Sequence, residues 1–303
     1  MIILDILIPV LLFSLSILIY ALRKNKTRKF LIIDILLGVY YALFYLAWRF
    51  LANNYHIGSL FHIFVFSFAF IFPFIVSYYV NKNKRVAYIV TLVLCTAVAL
   101  LILSRFITWP IVLNKSLWFA LPLNICNIMG VLGIVSFLTK NKFLKNIFAS
   151  IGLLGGAVTL MLAFNEGTNS ILNYLSMDSY FLHFLLVAIP IYMIINNAVE
   201  FDYKMILKKA YIFPIYYLFC YFFNHFLGTN FLYTVPGGVG FLEMFYNNLP
   251  IYYVNGYEIA LWYYLIVLVG GYFILVLLVY IESIIEKILK KKEKDKENSS
   301  IPN

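Results

Sequence analysis

Charge is scarce in this chain. Only 12% of its 303 residues are charged, and 64% are hydrophobic, where a soluble domain has about 25% charged and about 45–50% apolar residues. That deficit excludes a soluble globular enzyme and implies an all-α, polytopic transmembrane helix bundle, a multi-pass protein of the cell membrane. Cysteine is also scarce. Cys95, Cys126 and Cys220 all sit in apolar runs, so they offer neither a disulfide framework nor a C-x-x-C metal pattern. The chain has four histidines, and the nearest pair, His56 and His62, lacks the H-x-x-x-H spacing of a helical metal site, so no metal and no cofactor are expected. The net charge of +10 is dealt out among connections and not gathered in a basic domain, which argues against a nucleic-acid partner. The first apolar run, residues 2–22, has neither a basic stretch before it nor a small-residue cleavage site, and reads as a retained span.

What is abundant is apolar sequence in lengths of about 20 residues, the length that crosses a bilayer. Nine such runs are present, near 2–22, 31–51, 60–80, 86–108, 117–138, 144–164, 180–199, 209–227 and 258–282. Alternate connections are basic, and 20 of the 23 Lys and Arg residues fall on one side. The positive-inside rule then puts the N-terminus outside and the C-terminus in the cytoplasm. Residues 1–283 are expected to form a single transmembrane bundle, with 1–29 an added first span and basic loop. Residues 284–303 form a charged cytoplasmic tail, either a solvated end or a lysine-rich segment drawn to anionic headgroups.

This topology sorts the polar residues. All four histidines, together with Arg49 and Arg105, fall toward the extracytoplasmic side. All four tryptophans fall there too, as an interfacial aromatic belt does. Arg49, Arg105 and His225 sit near helix ends, where long or amphipathic side chains snorkel to water. Cys95 and Cys220 lie in apolar runs and read as packing residues. The connection 228–257 is long, has no Lys or Arg, and is too apolar to float in water. It is expected to lie on the membrane or fold back as a lid.

One segment concentrates the chemistry. Leu121-Pro122-Leu123-Asn124-Ile125-Cys126-Asn127 puts a thiol, two amides and a proline inside an apolar run. Polar groups at membrane depth are costly and suggest a site. They also serve as interhelical glue, and Asn124 and Asn127 share a helix face that suits that role. On a regular helix Cys126, Gly130 and Gly133 form one stripe. The stripe is either a seat for the small residues Ala149, Gly152 and Gly156 of the next span or a groove for an acyl chain. Pro122 cannot donate a backbone hydrogen bond, so it frees peptide groups near Cys126 that can hold an oxyanion. If regular helix starts at residue 117, Cys126 is about 13 Å deep and His183 only about 5 Å. A start at Pro122 raises Cys126 to about 6 Å and permits a thiol–imidazole pair.

Three segments in this order resemble the YwaF-type integral membrane family of bacteria. They are Leu121-Pro122-Leu123 with Cys126, then His183, then Leu227-Gly228-Thr229-Asn230 followed by an aromatic and Tyr233. The resemblance covers roughly residues 30–280. That family is similar to eukaryotic transmembrane acyltransferases that remodel ether phospholipids. The resemblance implies a nucleophilic role for Cys126 and a partner role for His183. Asn124 stands where many relatives carry another polar residue, often His.

Together these features point to an outer-leaflet lipid acyltransferase or acyl hydrolase acting on phospholipid and lysophospholipid. Cys126 and His183 are its catalytic candidates. Pro122, Asn124, Asn127, Thr229 and Asn230 are candidates for oxyanion or substrate binding. The alternatives are a small-molecule permease with a proline-broken helix at its site and a non-catalytic membrane scaffold.

Overall fold

The computed structural model describes residues 28–51, 58–80, 83–162, 174–199, 202–234, 246–254 and 257–299, with scattered helical positions between 10 and 21. His56, Arg49's side chain, Asn165, Glu166 and the Pro236-Gly237-Gly238 stretch, like most of the first apolar run, lie outside what it describes. The chain is an all-α bundle. Its helices are α1 (Arg28–Leu51), α2 (Leu60–Val80), α3 (Lys84–Val112), α4 (Ile125–Leu138), α5 (Lys142–Met161), α6 (Tyr174–Ile195), α7 (Tyr203–Lys208), α8 (Ile212–Leu227) and α9 (Leu261–Ser299). The strands among the described residues are a short antiparallel pair, β1 (Tyr252–Val254) and β2 (Tyr257–Ile259), with Tyr253 opposite Glu258. Five helical segments, α2, α3, α5, α6 and Leu261–Ile281 of α9, are long and apolar enough to cross a membrane.

Helix is the form these runs must take, because only a helix or a closed barrel satisfies its backbone where water is absent. Side-chain hydroxyls obey the same rule. Thr91, Thr96, Ser104, Thr108, Ser136 and Thr139 each donate to a carbonyl three or four residues earlier in their own helix, which hides the hydroxyl in an apolar setting. The starts of α3 and α5 are capped by asparagine. Asn83 Oδ1 accepts from the N–H groups of Arg85 and Val86 at 3.0 and 3.2 Å. Asn141 Oδ1 accepts from Phe143 and Leu144 at 2.9 and 3.2 Å.

The chain divides into two units. The first comprises residues 1–71 and 158–181. Phe61, Val65 and Ala69 form a buried stripe on α2, with Tyr180 donating to the Val65 carbonyl at 3.4 Å. Tyr40 stacks on Phe68 with ring centroids 6.2 Å apart. The carboxylates of Asp34 and Asp178 are both buried in this unit.

The second unit comprises residues 72–157 and 182–303. Its core joins Cys95, Val98 and Ile102 of α3, Met129 and Phe137 of α4, Phe148 of α5, and Leu182, Leu186, Ile189 and Met193 of α6. Glycines set the closest approaches. A methyl group on Gly156 would meet the His183 carbonyl oxygen at 2.9 Å, and one on Gly155 would meet Cys126 Sγ at 3.4 Å. The first contact is with rigid backbone, and the second is ordinary van der Waals distance. Gly156→Ala is therefore expected to force α5 from α6 and cost about 1–3 kcal/mol. Gly155→Ala is expected to be neutral or slightly stabilising, since alanine is favoured over glycine in a helix by about 1 kcal/mol. Thermal unfolding of the detergent-solubilised protein checks the difference. Equal melting temperatures for the two variants would contradict it.

Candidate active site

The backbone around Pro122 is not regular helix. A 3₁₀ turn at Leu117–Ala120 is followed by Leu121 in an extended conformation, φ −59° and ψ 135°, as the residue before proline favours. Leu123 N–H then returns to the Leu121 carbonyl at 2.8 Å, closing a tight three-residue turn around Pro122. Helix α4 begins only at Ile125. This corrects both expected starts, residue 117 and Pro122, and the depths built on them. Cys126 is the second residue of its helix.

Asn124 is the N-cap residue of α4, with φ −71° and ψ 144°, yet its side chain makes no capping bond. Asn83 and Asn141 at the same position each make two. The Asn124 oxygen instead accepts from Leu232 N–H at 3.1 Å, 108 residues along the chain. A missing cap costs about 1 kcal/mol. It also leaves the peptide N–H groups of the first turn outside the Asn124 side chain's reach, at the end of the helix that favours negative charge.

Three further contacts fix this turn. Tyr216 of α8 donates to the Leu123 carbonyl. Arg105 of α3, 5% exposed, donates from Nη1 to Asn127 Oδ1 at 2.8 Å. Cys126 Sγ rests on Gly155 of α5, whose neighbour Gly156 rests on the backbone of His183. Cys126 is half-buried and His183 is buried. Consecutive glycines of α5 thus carry the two catalytic candidates. Of the two readings of the glycine stripe, packing seat or acyl-chain groove, the contacts favour packing. Ile102 and Val98 fill the space at Gly130, and the Phe148 ring fills that at Gly133. The stripe is a packing surface, and the partners are larger side chains than the small residues expected there.

The segment after α8 reaches the same turn. Gly228 ends the helix in the left-handed conformation at φ 64°, which suits glycine. Asn224 clamps the chain from Thr229 to Thr234. Its Oδ1 accepts from Thr229 Oγ1 at 2.7 Å and Phe231 N–H at 2.9 Å. Its Nδ2 donates to the Phe231 carbonyl at 2.8 Å and Thr234 Oγ1 at 2.6 Å. Leu232 and Tyr233 both hold positive φ, 55° and 52°, at about 1–3 kcal/mol each. They are pinned from both sides, Leu232 by Asn124 and the Tyr233 carbonyl by Tyr263 Oη at 2.8 Å. Thr229, expected as a binding residue, is buried and spends its hydroxyl on Asn224. Asn230 is half-buried beside it.

A family model described as the TMEM164 family matches residues 54–280, which contain every one of these site residues. The chain belongs to the TMEM164 family. No curated protein and no solved structure matches it.

The parts played at the site by three residues of this TMEM164-family chain emerge only from the structure. Arg105, expected to snorkel, is instead buried against Asn127. An arginine inside an apolar run is itself the signal. Asn224 stands out only as the neighbour of His225, and Tyr216 is one of 25 tyrosines. His62 proves structural. Its Nδ1 accepts from Gly58 N–H at 3.2 Å, so its proton sits on Nε2, 2.8 Å from the Leu160 carbonyl. Asn224→Ala removes four hydrogen bonds, each worth about 0.5–1.5 kcal/mol net. It is expected to release residues 229–234, seen as faster amide hydrogen exchange there. Unchanged exchange would show that the clamp does not hold the segment.

Proposed function

We propose that this TMEM164-family protein is a cysteine-dependent lipid acyltransferase of the cell membrane, facing the outer leaflet. The observation that carries the reading is the position of Cys126, in a first helical turn whose N-cap side chain is drawn elsewhere. The likeness of the Leu-Pro-Leu, His183 and Leu-Gly-Thr-Asn segments to the YwaF-type family and to ether-phospholipid acyltransferases supports it.

In the first step Cys126 Sγ attacks the ester carbonyl carbon of a phospholipid. A C–S bond forms, and His183 takes the thiol proton. Peptide N–H groups at the start of α4 hold the oxyanion. The tetrahedral intermediate collapses, the C–O bond breaks, and the lysophospholipid alkoxide leaves with the proton from His183. In the second step the hydroxyl of an acceptor lysophospholipid gives its proton to His183 and attacks the thioester. The thiol is restored and a new ester leaves. Water in the acceptor's place gives hydrolysis. Outer-leaflet access rests on the charge asymmetry of the connections, which would set this end of α4 on the extracytoplasmic side.

The break between Leu117 and Asn124 also favours a second reading, a permease with its site at a discontinuous helix. Acyl exchange between phospholipid and lysophospholipid in proteoliposomes separates the two. Cys126→Ala is expected to keep its melting temperature and lose acyl transfer. Undiminished turnover in that variant would remove the thioester mechanism, and cysteine-independent solute flux would establish the permease.

A further inference from the structure

Arg105 takes no part in the thiol chemistry, yet it is bound to the residue next to the thiol. Its guanidinium donates to Asn127 Oδ1 at 2.8 Å and lies with Cζ 5.6 Å from the centre of the Trp109 ring, one turn along α3. Both Arg105 and Asn127 are buried, at 5% and 7% exposure. An amide side chain has an oxygen edge that accepts and an NH2 edge that donates, and alone it can present either. A guanidinium only donates, so it fixes the flip: the oxygen of Asn127 faces α3 and the NH2 faces away from Arg105. A charged donor on the oxygen also polarises the amide and strengthens the NH2 as a donor.

We propose that Arg105 is a positioning residue that acts through Asn127, so that Asn127 Nδ2 donates to the substrate's acyl oxygen while Cys126 attacks. This rests on the acyl-transfer reading. Asn127 then serves beside the peptide N–H groups as an oxyanion donor, and Arg105 sets its direction and strength without touching the substrate. An amide that merely glued α3 to α4 would influence folding and leave the chemical step alone.

The test is steady-state acyl transfer by the full chain in phospholipid vesicles containing a lysophospholipid acceptor. It compares the wild type with Asn127→Asp, Arg105→Met, Arg105→Lys and the Arg105→Met/Asn127→Asp double variant. Asn127→Asp keeps an acceptor for Arg105 but loses the NH2, so it remains informative where Arg105→Met does not fold. The expected result for Asn127→Asp and Arg105→Met is a kcat lower by about 10²-fold with KM little changed. The double variant falls no further than the weaker single, since the pair acts as a unit. Arg105→Lys, which can still donate to Oδ1, recovers part of the loss. Wild-type kcat in Asn127→Asp, a change confined to KM, or multiplying losses in the double variant would overturn the role of Arg105 while leaving Cys126 chemistry intact. Absence of acyl transfer by the wild type would remove the acyl-transfer reading and this role together.

Discussion

The first peptide N–H groups of a helix have no partner within the helix and must find one outside it. The structure meets that constraint in the usual way at α3 and α5, where Asn83 and Asn141 fold back onto the helix start. At α4 it does not. Asn124 gives its oxygen to Leu232, and the arrangement of the second unit around that turn depends on the diversion. The Leu232–Tyr233 backbone adopts left-handed angles, and Asn124 and Tyr263 hold them. The helix start is left as a place where negative charge is welcome, one residue from a thiol.

The elements around this turn divide the work. α3 supplies the buried Arg105 that meets Asn127, and α8 supplies Tyr216 and Asn224. α5 supplies two glycines that let the thiol and the backbone of His183 come close to it. Large side chains close the rest of the Cys126 stripe, with Phe148 against Gly133 and Ile102 against Gly130. The glycines of α4 are therefore packed against side chains.

Much of the fold is legible in the sequence because it is set by short-range facts. A run of about 20 apolar residues bounded by polar ones is a helix in a membrane protein, and the run at 60–80 is the helix Leu60–Val80. Pro122 marks the interruption before α4 correctly, but not its extent. Helix resumes at Ile125 with Asn124 as its N-cap residue, but the Asn124 side chain is taken by Leu232, far away in the chain, which no local signal reveals. The same limit hides the site's supports. Arg105 and Asn127 are each plausible at a helix end on local grounds, and only tertiary packing brings them together. The glycine stripe has the right spacing for a groove, but spacing does not reveal which side chains fill it.

The central claim is that Cys126 carries the acyl group as a thioester. It is tested most directly by intact-protein mass spectrometry after incubation with a phospholipid donor and no acceptor. The account predicts a mass gain of one acyl chain that neutral hydroxylamine removes and that maps to the peptide containing Cys126. Acyl transfer that proceeds with no such adduct, or with an adduct on Cys95 or Cys220, would contradict it.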